Sequence, residues 1–385
     1  MEYRKHHDLE ISEVGVGCYA LSGVYGAVDI PGFQRMLQCA YRMGVNFFDT
    51  AEGYGNAEKI LGDSIKPFRE EVYIATKVGI REGFTPNLSK TYIHEACARS
   101  LEQLSTDYID LYQVHFNDPR TPVAETIEAL EDLIAEEKIR HYGIGHLPGI
   151  RVKEYCEQGS PFSILMELSA VARKSRDELL PFCHTYDVAG IGFSATGRGI
   201  LTGKYESDTQ FEPGDLRKLD PLFQRARFES ALRIKDYFIH LAQEYGTTPV
   251  QLAIAWVLAQ PKIICALTGS SKINHLEENL GGSGLHLKRS DLKRLEQLFV
   301  REEKDLAERE REIIHSILID PLPPDPEQAF TDLVYVLETS HDLGLLTEDI
   351  ARSILVKLWP LKKELSRSSQ PELEAIQKQL KALLE

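Results

Sequence analysis

From the N-terminus to about Leu287, short runs of β-branched and aromatic residues alternate with longer stretches whose apolar positions recur at helical spacing. Residues 14–19 predict the first strand, and 31–43 predict a helix with Pro31 at its start and Gly44 as its stop. Seven further strands are predicted over 46–51, 72–79, 109–116, 141–147, 163–171, 188–196 and 263–270. Helical patterns lie between them, as at 92–104, 122–138, 177–186, 228–245 and 249–259. Beyond Leu287 only helix remains, with a charged run at 301–312 and a break at Pro321-Leu322-Pro323-Pro324.

Continuous Val/Ile-rich strands suit a parallel sheet covered by helices on its outer side. Eight βα units in roughly 280 residues predict an α/β fold, a (β/α)8 TIM barrel over 1–287, followed by an all-α C-terminal extension over 288–385. In the last segment Leu373, Ile376, Leu380 and Leu383 share one helical face. That face is expected to pack on its own chain first, with a protein partner or self-association as the other outcome.

The formal net charge of -15 argues against a surface built to neutralise nucleic acid. Cys18, Cys39, Cys97, Cys156, Cys183 and Cys265 are scattered without a C-x-x-C pair, so neither a disulfide framework nor a metal site is expected. With no signal-like leader and no apolar run of membrane-spanning length, the expected setting is cytoplasmic, away from membranes. The pair His6-His7 reads as a solvated terminus.

The barrel reading places function at the C-terminal ends of the strands. Asp49 ends the second strand, Tyr54 follows it, Lys77 ends the third and His115 ends the fourth. A phenol with an ordinary pKa of about 10 is a poor acid unless a nearby cation stabilises its phenolate. Lys77 is that cation, Asp49 its counter-ion, and His115 a hydrogen-bonding group for a carbonyl oxygen. No side chain donates hydride, so a nicotinamide is implied.

The segments Phe48-Asp49-Thr50-Ala51-Glu52-Gly53-Tyr54-Gly55 with Glu58, Ala75-Thr76-Lys77-Val78-Gly79, and Asp110-Leu111-Tyr112-Gln113-Val114-His115 resemble the signatures of aldo-keto reductases. Ser194 through Tyr205 is similar to that family's pyrophosphate-binding segment, and Gly269-Ser270-Ser271 through Glu278-Asn279 to its adenosine-binding segment. The resemblance covers nearly the whole barrel and leaves the extension unmatched.

It implies an NAD(P)H-dependent reduction of an aldehyde or ketone, with Asp49, Tyr54, Lys77 and His115 as the catalytic tetrad and Tyr54 as proton donor. NADP is the expected cofactor, with NAD as the alternative. Gly17, Cys18 and Tyr19 would lie near the nicotinamide. The backbone at Ser194, Gly197 and Leu201, with Gly203 and Lys204 in the same segment, would lie near the pyrophosphate. Gly269, His275, Glu278 and Asn279 would meet the adenosine, and Ser271 or Lys272 a 2′-phosphate. Tyr25, Phe84 and Phe116 are expected to line the pocket of a small carbonyl substrate.

Four positions depart from the family pattern. Gly145 and His146 stand where the family has a Ser-Asn pair, and Leu165 and Leu168 where it has a Gln and a stacking Tyr. His146 still offers a hydrogen bond to a carboxamide. These changes motivate a second reading, a cofactor-binding scaffold or redox-sensing subunit whose extension binds a partner. Gly15-Val16-Gly17-Cys18-Tyr19-Ala20 also fits G-x-G-x-x-A on paper, but no helix is expected to open on Ala20.

Overall fold

The computed structural model describes residues 1–24, 26–80, 85–212 and 215–384. The chain divides into two compact units, one made of Met1–Lys204 with Lys235–Lys288 and the other of Tyr205–Ile234 with Arg289–Glu385. The second unit thus takes in a segment, Tyr205–Ile234, that the sequence pattern leaves with the barrel.

The first unit opens with an antiparallel hairpin, β1 (Tyr3–His6) and β2 (Leu9–Ser12). Eight strands follow: β3 (Val14–Gly17), β4 (Phe47–Asp49), β5 (Tyr73–Val78), β6 (Ile109–Val114), β7 (Ile139–Gly145), β8 (Ser163–Glu167), β9 (Ala189–Phe193) and β10 (Ile263–Gly269). They are parallel and close into a barrel in chain order, β10 pairing with β3. Each strand expected from the sequence is present, seven of them with shorter bounds and β7 shifted by two residues toward the N-terminus.

The helices of this unit are α1 (Ile30–Arg42), α2 (Ala57–Ile65), α3 (Lys90–Leu104), α4 (Val123–Ala135), α5 (Gly149–Gln158), α6 (Lys174–Thr185), the second half of α7 (Arg225–Tyr245), α8 (Pro249–Leu258) and α9 (Ile273–Leu280). Helix α1 shows why they form where they do. Asp29 accepts from Gly32 N at 3.0 Å to cap its start, and Phe33, Met36, Leu37 and Ala40 form its buried stripe. Gly44, at φ 92°, turns the chain out of the helix.

His7 is exposed, as a solvated terminus requires, whereas His6 is half-buried and the hairpin's second strand enters the core. Leu9 and Ile11 of β2 are buried with Phe47, Leu111, Phe162, Ala189 and Ile264, closing the N-terminal end of the barrel. Burying two such side chains stabilises the end by about 1.5–3 kcal/mol each. His6 packs edge-on against Phe162 at 5.0 Å, and burial pushes its imidazole pKa down. With that end plugged, the C-terminal end of the strands is the open one.

The second unit contains α10 (Arg289–Ile319), α11 (Pro326–Asp342), α12 (Glu348–Leu358) and α13 (Gln370–Leu384). Its core gathers Ile314, Phe330, Leu333, Leu337, Ile354 and Leu358 with Leu373, Ile376 and Leu380 of α13. The apolar face of α13 is therefore spent within its own unit, while Leu383 stays exposed. Arg227 bridges Glu310 at 2.7 Å and Asp342 at 2.6 Å. Among the described residues, no helix is long and apolar enough to cross a membrane.

Candidate active site

Parallel pairing sets the centre of the site. Asp49 lies beside Ala75, so Lys77, two residues on, points to the same inner side, and Lys77 in turn lies beside Gln113. Lys77 Nζ donates to Asp49 Oδ1 and, at 2.7 Å, to the Thr50 carbonyl. Gln113 Nε2 donates to the other Asp49 oxygen at 3.2 Å. Both members of the ion pair are buried, at 5% exposure for Asp49 and 2% for Lys77. Burial pushes the Asp49 carboxyl up, and Lys77 and Gln113 pull it back.

The neighbouring side chain on β5 points the other way. Thr76 donates to Glu58 of α2 at 2.6 Å, which fixes the strand against its helix while Lys77 faces inward. Glu52 accepts from Gly79 N at 2.9 Å and from Tyr92 OH at 3.1 Å, tying the loop after β4 to the end of β5. Tyr54 sits in that loop, half-buried, with the Lys77 ammonium 5.0 Å from its ring centroid. The four residues predicted as a tetrad are therefore brought together.

His115 follows β6 and meets Tyr54 edge-on, ring centroids 5.6 Å apart. It is 6% exposed, and its Nδ1 is buried without a hydrogen-bond partner. Burial, then the Lys77 and His146 charges, hold its imidazole pKa well below the ordinary value, so the ring is neutral. A neutral imidazole beside a cation and a phenol can donate to a carbonyl oxygen without competing for its charge.

Around this centre the mouth is aromatic. Tyr19 lies 4.9 Å from Tyr54, Phe116 lies 4.4 Å from His115, and His146 lies 4.8 Å from Phe116 and 5.1 Å from Phe193. His146 holds a left-handed φ of 48°, which tips it toward the mouth. Surrounding protein, then Lys77 and Arg198, press its imidazole pKa down. Its outer edge is open to solvent, which tempers that shift without reversing it.

Other predicted contacts fall in several ways. Gly17 lies between Asp49 and Gly269 on neighbouring strands, and a Cβ at Gly269 would meet nothing within 4 Å, so the backbone is open there. Cys18 is fully buried, its thiol pushed up by burial and Asp49. Ser271, Lys272 and His275 are exposed at the start of α9, Glu278 is half-buried, and Asn279 is buried with its amide donating to Ser270 Oγ at 2.8 Å. Lys204 ends the first segment of this unit and Gly203 turns there at φ 84°. Tyr25 and Phe84 lie outside the described residues.

Two expectations need correction. Leu165 and Leu168, taken as facing the nicotinamide, are 3% and 0% exposed. Leu165 belongs to the barrel core, and Leu168 packs 3.4 Å from where a Cβ on Gly192 would stand, so neither offers a ring a free surface. Likewise Leu201 is fully buried, and its N–H, with that of Gly197, is already bonded to the carbonyls of Thr196 and Ser194.

Sequence reasoning missed two residues. Gln113 is the one amide in the buried strand β6, two residues before His115 and hence on the same face, a pattern that alternation makes visible. Phe193 ends β9 directly before Ser194, at the strand end where the barrel rule looks for function. The paper motif at Gly15 to Ala20 opens only a short 3-10 turn, Tyr19–Ser22, as expected.

A closed parallel barrel whose strand ends present a buried lysine–carboxylate pair, a tyrosine and a neutral histidine defines a class of barrel oxidoreductases. Residues 13–299 match the family model described as the Aldo/keto reductase family. This chain belongs to that family. It is 32% identical over 306 residues to the NADH-specific methylglyoxal reductase of Escherichia coli, covering 74% of this chain and 93% of that one. It resembles the structure of the glycerol dehydrogenase AKR11B4 from Gluconobacter oxydans with a TM-score of 0.72 at 28% identity, over 78% of this chain and 96% of that one. It also resembles an aldo/keto reductase from Klebsiella pneumoniae in complex with NADP and acetate, with a TM-score of 0.61 at 25% identity, over 75% and 92% of the two chains.

Proposed function

We propose that this enzyme reduces the carbonyl of a small aldehyde or ketone, with Tyr54 as the proton donor. The observation that carries this reading is the Lys77 ammonium, buried against Asp49 and the Thr50 carbonyl and 5.0 Å from the Tyr54 ring. A cation in that place favours the phenolate left behind when Tyr54 gives up its proton. Asp49 holds the ammonium in place, Gln113 keeps Asp49 in place, and His115 orients the substrate oxygen toward Tyr54.

When bound, a nicotinamide dinucleotide supplies the hydride to the carbonyl carbon. The mouth fits such a group. Phe193, Phe116 and His146 form an aromatic wall for a flat ring, and neutral His146 adds one polar edge. Ser271 and Lys272 stand exposed at the start of α9, where a 2′-phosphate would meet both a cation and a helix N-terminus, and this favours NADP over NAD. The Escherichia coli relative is described as NADH-specific, so NAD is the alternative to test.

Tyr19 and Phe116 give the substrate pocket an apolar lining that suits an uncharged carbonyl compound, and Tyr25 and Phe84 complete the proposed set. Six free cysteines, five of them buried, fit a reducing cytoplasmic setting. The test is oxidation of NADPH and NADH by the purified protein with a panel of aldehydes and ketones. Turnover with at least one carbonyl, lost in Tyr54→Phe, is the expected result. Turnover in Tyr54→Phe equal to that of the parent removes Tyr54 from its role.

A further inference from the structure

The loop after β9 was expected to hold an anion through its backbone, yet six of its N–H groups are engaged within the loop. Gly197 N donates to Ser194 O, Gly199 N and Leu201 N to Thr196 O, Ile200 N to Gly197 O, Thr202 N to Gly199 O, and Gly203 N to Ile200 O. A phosphate cradle needs N–H groups free to point at the ligand. With those six donors engaged, a charged side chain on the loop becomes the stronger partner for an anion.

Arg198 is in the right place to supply it. Gly197, Arg198 and Gly199 hold φ values of 59°, 53° and 96°, a left-handed run that lifts the arginine out of the loop. Its guanidinium reaches the end of β8, where Nη2 lies 2.8 Å and 3.0 Å from the two oxygens of Glu167. From there its charge acts on both Tyr19 and His146. Both partners are partly open to water, at 28% and 27% side-chain exposure. A pair so solvated exchanges partners at small cost, whereas a diphosphate offers a guanidinium two charged oxygens at once.

We propose that Arg198 is an exchangeable ligand of the dinucleotide diphosphate, shared between Glu167 and the cofactor, so that Glu167 competes with the cofactor for it. This rests on the cofactor reading above and adds to it a carboxylate that weakens binding. Glu167 thereby sets how readily the dinucleotide is released.

Isothermal titration calorimetry with NADP⁺ and NAD⁺, and with adenosine 2′-monophosphate as a probe lacking the diphosphate, tests it. Glu167→Gln, which leaves the loop untouched, should tighten the dinucleotide about three- to ten-fold, and Arg198→Gln should weaken it about ten- to hundred-fold. The double variant should bind like Arg198→Gln alone, and adenosine 2′-monophosphate should be indifferent to all three. Melting temperatures show that each variant is folded, and Arg198→Lys should recover part of the loss. If Glu167→Gln leaves dinucleotide binding unchanged, or still tightens it in the Arg198→Gln background, the exchange is refuted while the cofactor reading survives. The same holds if Arg198→Gln raises only the KM of the carbonyl substrate. If the parent binds neither dinucleotide, the cofactor reading itself fails and this proposal falls with it.

Discussion

Replacing Lys77 with Met keeps most of the side-chain volume and removes the ammonium, which isolates the Asp49 carboxyl in the barrel. Asp49 is 5% exposed and would retain the Gln113 amide at 3.2 Å but lose the Lys77 ammonium. Breaking one side of a buried ion pair costs about 3–5 kcal/mol. The protein limits that cost by protonating the carboxyl, whose pKa burial already pushes up. A carboxyl with a folded pKa above its unfolded value of about 4 takes up a proton on folding. Its contribution is then least unfavourable below the unfolded pKa. It worsens as pH rises toward the folded pKa, by at most about 1.4 kcal/mol per pH unit, and then levels off. The assay is chemical denaturation of parent and Lys77→Met at pH 5 and pH 8, with Asp49→Asn added to the variant as a neutral partner for Gln113. The gap to the parent should widen at pH 8, and Asp49→Asn should recover much of it. An equal gap at both pH values, together with no recovery, would refute the view that Lys77 stabilises a buried carboxylate.

Tyr54→Phe should lower turnover by about 10²–10⁴-fold, the usual scale for a lost acid, while calorimetry shows unchanged dinucleotide affinity. His115 is held neutral, its folded pKa depressed, so its contribution is intact above the unfolded value of about 6.5 and is lost as pH falls below it. Melting curves at pH 7.5 and 5.5 should therefore show a smaller acid loss in His115→Asn than in the parent. Phe193→Ala should weaken dinucleotide binding by removing ring contact worth about 0.5–1.5 kcal/mol, with the melting temperature as the check on folding. In the helical unit, Arg227→Ala leaves Glu310 buried without its guanidinium. It should cost about 3–5 kcal/mol of that unit's stability, read by denaturant titration.

The strand and helix order was legible in the sequence because the barrel strands are short, largely apolar runs whose positions are mostly buried on both sides, and the helices between them carry clear apolar stripes. Asp49, Lys77 and His115 were legible only as a set, since each alone has an ordinary structural explanation, while together with Tyr54 they stand at or just after the ends of three consecutive strands. The hairpin β1–β2 was not, because its four-residue strands show their value only once Leu9 and Ile11 meet Phe47 and Leu111 across the barrel floor. Segment 205–234 was assigned by periodicity to the barrel and by packing to the helical unit.

For the site, sequence alone determined which groups stand at the strand ends, because parallel strands with a period of two leave little choice of face. Tertiary structure decided which of them are free to act. It showed Leu165 and Leu168 turned into the core, six N–H groups after β9 bonded within their own loop, and Arg198 carried over to Glu167. Hydrogen-bond partners and burial are properties of the closed barrel, set by residues far apart in the chain, and no local pattern encodes them.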